Sequence, residues 1–393
     1  MVLETSYFFS LCLTSANPPF GTPWKSDLKT WGDIKKEDIS DPRFVVDYAG
    51  DSEYSLVPDI GDPQMLFLAN NISKMKKSTA LGSRIVEVHS GSALFTGKAG
   101  SGWSNLRRYI IEQDMLEAIV ALPENMFYRA GIGTYLWVVT NKKEARRRGK
   151  VQLIDATSMK SPLRKNLGDK SCELTPEINK QILALYLAFD QADEQFSRVF
   201  DNAEFGFWAV TIVRPLRLAI EISNANIERL KLEKDGDLYD LMKKAQLIFG
   251  EARLLDYDDF IGKITELAGN NNVRMTAKRL KTVRNIFTTV DEKASPVTDK
   301  NGNLEIDKAL SESEQIPFTY NGGIDAFFEA EIKPYLPDAW IDNSATITGF
   351  ELSFARYFYM PIVLREASEI ISDINTIESN TDGLLASIIG GVK

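Results

Sequence analysis

The sequence is poor in the residues that staple a small domain or hold a metal: it has two cysteines and one histidine in 393 positions. Cys12 and Cys172 lie far apart in no metal-ligand spacing, and read as free thiols of a reducing compartment. No apolar run reaches the length that spans a bilayer, so no membrane partner is expected. The early stretch Tyr7 to Leu13 has only Glu4 ahead of it as a charge, whereas a secretory leader needs basic residues. It reads as a buried strand, in a chain expected to be cytoplasmic. A basic excess is also missing. Net charge is −9, so any contact with nucleic acid must come from local clusters or from a partner. Two such clusters are Arg107-Arg108 and Lys142 to Lys150, and Arg107, Arg108, Lys142 and Lys143 are the DNA-binding candidates. Taken alone, each cluster reads as a solvated face.

What is present is ordinary for a globular chain of two or three domains: 44% hydrophobic and 26% charged residues. To about residue 160, strands alternate with helices. Phe8 to Thr14, Arg84 to Val88, Glu117 to Leu122, Gly133 to Thr140 and Val151 to Ala156 have strand character. Met65 to Met75 has helical spacing, and a helix begins at Leu106. This alternation predicts an α/β fold with a mostly parallel sheet. From about 170 longer helical patterns take over: Ile178 to Phe200, Leu238 to Phe249, Tyr257 to Leu267, Thr276 to Phe287 and Ile324 to Ile332. Trp208 to Ile222 looks extended. Lys293 to Glu314, charged and holding Asn301-Gly302, reads as an exposed linker. In a last helix, from about Arg365 to Ile389, Ile370, Ile374, Ile377, Thr381, Leu384 and Ile388 recur four and three apart. That is a coiled-coil seam, weakened by Gly383; it favours a partner helix, and a helix packed on its own domain is the other reading.

The strongest chemical signal is Asn17-Pro18-Pro19-Phe20, directly after a strand. Ligands of open α/β sheets bind at the carboxyl ends of strands. Methylation of an exocyclic amine in duplex DNA requires a flipped base. The Asn17 side-chain carbonyl and the Pro18 backbone carbonyl could accept hydrogen bonds from that amine and shift it toward a tetrahedral, nucleophilic nitrogen. Phe20 offers a stacking face. Two prolines fix the backbone that presents the acceptors. Asn-Pro and Pro-Pro are also common turn dipeptides, and a plain turn is the other reading.

Three decoys fail on spacing. Gly91 to Ala99 puts five residues between its glycines and Ala99 after Lys98, where a phosphate-binding loop needs four and a Ser or Thr. Gly100-Ser101-Gly102 is too short for a dinucleotide fingerprint. Asp299 to Gly302 places its glycine too early for a calcium loop. His89, the only histidine, reads as a satisfied structural residue.

Several further segments carry a resemblance: NPPFG at 17–21, DPQMLFL at 62–68, and the run from Gly91 to Lys143 that contains LPENMF. RRGKVQLIDA at 147–156, FGFWAVTIVRPLRL at 205–218, PYLPDAWID at 334–342 and GFELSFARYFY at 349–359 continue it. Together they resemble the methyltransferase subunit of type I restriction–modification systems, the adenine-specific DNA methyltransferases. The resemblance implies the C-terminal half of a Rossmann-like methyltransferase domain followed by a mainly helical region. It divides the chain into a partial catalytic domain at 1–165, an extension at 166–235, and a helical region at 236–393 ending in a subunit-interaction helix. It implies Asn17, Pro18, Pro19 and Phe20 as the adenine site and S-adenosylmethionine as cofactor. The implied partners are DNA, a specificity subunit and a restriction subunit, with a second methyltransferase subunit as a further candidate. In that family the glycine-rich cofactor loop lies well upstream of the N-P-P-F motif. Only sixteen residues precede Asn17 here, none of them glycine. The cofactor pocket is therefore expected to be largely missing from this chain, and the chain to be inactive alone. The alternative is a non-catalytic module that binds a specificity-type subunit.

Overall fold

The computed structural model describes residues 12–128, 130–358 and 366–390. The chain divides into a unit of residues 1–352 and a second of residues 353–393. In the first unit six strands form one sheet: β1 (Leu13–Ala16), β2 (Arg84–Ser90), β3 (Leu116–Leu122), β4 (Thr134–Thr140), β5 (Lys150–Asp155) and β6 (Ser197–Asp201). Their spatial order is β1-β2-β4-β3-β5-β6.

The α/β class is as expected, but the sheet is mixed. β1 runs parallel to β2 and β3 to β5, while β4 is antiparallel to both β2 and β3, and β6 to β5. Four strands point one way, yet β4 stands between β2 and β3. The connection over residues 123–133 is the cause: it is too short for the helical crossover that parallel neighbours need. The crossover from β2 to β3 is instead the helix Gly102–Glu112, which buries Trp103, Leu106, Ile110 and Ile111. It lies so close to the neighbouring chain that a Cβ on Gly102 would sit 1.8 Å from the Val57 carbonyl oxygen. Only glycine fits there.

Beyond β6 a second sheet places β7 (Gly206–Val213) between β8 (Glu312–Pro317) and β9 (Trp340–Phe350), antiparallel to both. Four helices, Asn224–Leu230, Gly236–Phe249, Tyr257–Asn270 and Ala277–Phe287, share a core of Ile227, Leu241, Met242, Phe260, Ile264 and Phe287. Each begins at a side chain that accepts from the backbone of its first turn: Ser223, Asp235, Asp256 and Thr276.

Three expectations need correction. Of the first strand, Tyr7 to Leu11 lie outside the described residues, and its remainder is not buried: Cys12 and Leu13 are exposed, because β1 is the sheet's edge. Residues 293–314 are not an exposed linker: Ala294 and Val297 are buried, and the backbone of Leu216 is held by Val297 and Glu305 at 2.8 and 2.7 Å. The charged side chains hid a paired backbone. The helix expected over 178–200 ends at Ala188, because Phe189 turns at φ +57 and the chain then pairs as β6. In the second unit the helix Ala367–Gly390 exposes Ile370, Ile371, Ile374 and Ile377. The side chains of Thr381, Leu384 and Ile388 lie outside the described ones.

The two sheets are joined by Arg107. Its guanidinium is 1% exposed and donates to the carbonyls of Phe350 (2.6 Å), Ala93 (3.1 Å) and Thr96 (2.9 Å). Ser104 Oγ accepts from the Phe350 N–H at 3.0 Å beside it. Replacing Arg107 by methionine keeps the stem and strands three carbonyls. It should lower stability by about 3 kcal/mol or more, read as an earlier midpoint in urea unfolding of the full chain. An unchanged midpoint would show that β9 docks without it.

Candidate active site at one edge of the sheet

Because β1, β2, β3 and β5 run together, their carboxyl ends open on a single edge. Residues 17–20 leave β1 there, 91–101 leave β2, 123–133 leave β3 and 156–160 leave β5. This is where open α/β sheets bind ligands. Asn17 is exposed, and its side chain makes no hydrogen bond with a described residue. Pro18 is buried, Pro19 exposed and Phe20 half-buried. Gly21 follows at φ +69, a turn that glycine makes without strain. The chain is next fixed at Trp24, whose backbone N–H donates to Ile60 O at 3.0 Å and whose indole N–H donates to Asp59 O at 3.1 Å. The Trp24 ring packs with Leu28 and Val57. The motif thus hangs between a paired strand and an anchored indole, with its carboxamide open.

The register continues the argument. Ala16 stands opposite Glu87, so Asn17 and Pro18 come level with Val88 and His89. Behind this point lies a polar cluster that no sequence signal singled out. Gln64, at the start of the helix Gln64–Ser73, is fully buried. Its Oε1 accepts from the Ser90 N–H at 2.9 Å and faces His89 Nδ1 at 3.1 Å. Its Nε2 lies 2.7 Å from Asp62 Oδ2, 2.8 Å from Ser90 Oγ and 2.9 Å from Ser92 Oγ. One carboxamide therefore fixes the end of β2 and the turn after it. The D-P-Q run at 62–64 was visible in the sequence, but nothing in it tells that Gln64 points inward.

Glu87 and His89 lie on one face of β2, both without exposed surface, with Glu87 Oε1 and His89 Nε2 3.5 Å apart. Neither atom has a hydrogen-bond partner among the described residues, although Asn71 donates to the other Glu87 oxygen at 2.9 Å. Burial pushes the Glu87 carboxyl up to about 7 and the His89 imidazole down to about 3. With Nδ1–H given to Gln64, Nε2 is an acceptor, and a protonated Glu87 is the donor it faces. Between about pH 3 and 7 the pair is neutral, the state that burial favours. The sequence reading of His89 as a satisfied structural residue holds for Nδ1, which faces Gln64, and not for Nε2, which has no hydrogen-bond partner among the described residues.

Of the four cationic candidates, the structure removes two. Arg107 is spent on the three carbonyls, and burial holds its guanidinium down to about 9. Lys143 is 6% exposed, donating to Asp114 Oδ1 at 2.6 Å and Lys150 O at 2.7 Å. Neither can reach a phosphate. Arg108 is half-buried, 3.0 Å from Glu112 and close to the Tyr48 and Tyr54 rings. Lys142 stays exposed. A cavity ringed by Arg43, Ala69, Met75, Tyr109 and Asn141 lies at the opposite end of the strands, since Met75 precedes β2 and Asn141 follows β4. Among the described residues no cluster of His, Cys, Asp and Glu could hold a metal ion, and no helix is long and apolar enough to cross a membrane.

Comparison with known proteins shows what this part of the chain is similar to. Residues 12–205 match the family model described as N-6 DNA Methylase. The chain is 26% identical over 232 residues to the type I restriction enzyme MjaIX methylase subunit of Methanocaldococcus jannaschii, covering 58% of this chain and 37% of that protein. It is 26% identical over 125 residues to the type I restriction enzyme MpnII methylase subunit of Mycoplasma pneumoniae, covering 30% and 22%. The chain therefore spans well under half the length of these relatives. Among solved structures it is similar to a type I methyltransferase subunit from Streptococcus thermophilus, at 18% identity and a TM-score of 0.39 over 52% of this chain and 37% of that one.

The buried pair predicts a pH signature. From about 4.5 to 6.5 the folded pair keeps one proton on Glu87 and the unfolded chain keeps one on His89, so the two together add no pH dependence. Below about 4.5 the unfolded chain binds a second proton that folded His89 refuses, and stability falls. As pH rises through about 7 the proton on folded Glu87 is lost, and stability falls again. The advantage of the wild type over Glu87→Gln should hence shrink by about 3 kcal/mol between pH 4.5 and 7, and be flat above. Urea midpoints across that range measure it; a constant difference would rule out the protonated Glu87.

Proposed function

We propose, since residues 12–205 match the N-6 DNA methylase model and the chain is similar to methylase subunits of type I restriction enzymes, that it carries the base-binding side of an adenine amino-methyltransferase. The supporting observation is the open Asn17 carboxamide, followed by a buried and an exposed proline, at the edge where four parallel strands end. Asn17 Oδ1 and the Pro18 carbonyl accept from the amino group of a flipped adenine and draw its lone pair out of the ring. Phe20, half-buried, stacks on the base. Gln64 keeps the adjoining turn in place, so these acceptors act without reorganisation.

S-adenosylmethionine supplies the electrophilic methyl group in this chemistry. The described residues fit the acceptor side of the reaction, and none beside Asn17 forms a glycine-rich nucleotide turn. We assign the donor to no residue of this chain, and the chain alone no turnover. Residues 1–165 are on this reading a partial catalytic domain, 166–235 an extension of it, and 236–393 a region that ends in a subunit-interaction helix. DNA, a specificity subunit and a restriction subunit are the proposed partners, in the cytoplasm. A second reading, a non-catalytic module that docks on a specificity subunit, draws on the exposed Ile370, Ile374 and Ile377.

Two experiments separate these readings. With the remainder of a type I methyltransferase subunit supplied in trans or by fusion, Asn17→Ala should abolish methylation and leave assembly intact, a loss on the order of 3 kcal/mol of transition-state stabilisation. Phe20→Ala should weaken hold on the flipped base by about 1–3 kcal/mol. A reconstituted enzyme indifferent to Asn17→Ala would leave only the module. Changing Ile374 and Ile377 together to Asp should end co-purification with a specificity subunit while circular dichroism of the rest is unchanged. Retained binding would move the docking surface elsewhere.

A further inference from the structure

The carboxyl edge carries one element that the methyl-acceptor site does not use. After β5 the chain forms a β-hairpin, Ser161–Leu167 against Lys170–Glu173, closed by the two-residue turn Gly168-Asp169 with Gly168 at φ +60. It carries Lys160, Arg164, Lys165 and Lys170 against two carboxylates, Asp169 and Glu173, in a chain whose net charge is −9. Lys160, Arg164 and Lys165 are exposed, and none of the four forms an ion pair with a described residue. Six arginines of other elements, Arg84, Arg147, Arg214, Arg217, Arg279 and Arg284, are by contrast paired with carboxylates.

The hairpin is also held firmly at its base. The Ser171 N–H donates to Asn125 O at 2.9 Å, and Cys172 Sγ lies 3.3 Å from Glu124 O. Leu174 packs with Val120, Leu122 and Ile154. A Cβ on Gly168 would meet the Tyr128 ring at 3.4 Å, so the turn lies against the loop that follows β3. Unpaired cations on a fixed two-stranded arm are costly to the folded chain through mutual repulsion, and have no internal partner to offset it.

We propose that the hairpin 161–173 is a phosphate clamp for duplex DNA, gripping the backbone beside the base-binding edge; this rests on the DNA reading above. Its placement fits. β5 lies four strand spacings from β1, about 19 Å along the edge. At about 3.4 Å per phosphate on one strand, that is some five or six nucleotides from Asn17. The hairpin contacts then position the duplex and carry no sequence information, leaving sequence to another part of the enzyme.

The test is a salt titration of binding by the full chain to a fluorescein-labelled duplex, followed by anisotropy. Arg164→Gln with Lys165→Gln should make the slope of log K against log salt shallower by about 1.8, at about 0.9 for each lost phosphate. The control is Arg274→Gln with Lys278→Gln, the same charge change on the exposed side of the helical cluster, which should leave the slope unchanged. Equal slopes for wild type and hairpin variant, or equal shifts for hairpin variant and control, overturn the clamp and leave the DNA reading standing. Absence of any duplex binding by the wild type at low salt overturns the clamp as well. The Asn17→Ala reconstitution tests the acceptor site by a different readout.

Discussion

The first unit depends on one buried cation. Arg107 extends from the crossover helix between β2 and β3, and its three donor bonds end on the carbonyls of Ala93, Thr96 and Phe350. Two of these belong to the turn that leaves β2, and the third to the last residue of β9, 243 positions away in sequence. A guanidinium can do this because its planar fork serves several acceptors while staying charged. The cost is desolvation, and it is offset only while all three acceptors are in place. The candidate edge and the second sheet are consequently one construction: the turn after β2 cannot shift without loosening β9.

The edge itself is organised in two tiers. The front tier, Asn17 to Phe20, has open polar atoms. The rear tier, Gln64, Glu87, His89, Ser90 and Ser92, is largely buried, its hydrogen bonds saturating the Gln64 carboxamide and burial favouring the neutral forms of Glu87 and His89. Such a division suits chemistry at an amine. On the proposed reading, the acceptors that meet the substrate must be free, and what holds them must not compete for the same proton.

Much of this was legible in the residues, though unevenly. Strand positions followed from β-branched runs, and the placing of Asn-Pro-Pro-Phe at a strand end from the apolar run before it. The direction of β4 was not legible from periodicity, since a strand reads alike in either direction; the short stretch at 123–133 was the clue. The cations misled for a related reason. Arg107 and Arg108 are neighbours in sequence but sit on different sides of one helix, so the first is buried and the second is not. Residues 293–314 looked like a linker because composition reports side chains, whereas Leu216 and Val297 bond through their backbones. The hairpin at 161–173 did have a signal, Gly168-Asp169 between two short polar runs, but such runs do not alternate and so do not announce a strand.

The reversal at β4 bears on the order in which the chain assembles. Leu122 pairs with Thr134 across the short turn at 123–133, whereas Leu13 must find Arg84 and Phe350 must find Arg107. Closing a short loop costs little entropy, and local hairpins form in microseconds. β3 and β4 can therefore zip together as a template before either outer neighbour arrives, with β2 and β5 adding to its two sides. The loop at 123–133, which later supports the basic hairpin, is then among the earliest parts of the edge to take shape, and the acceptor strand β1 among the last.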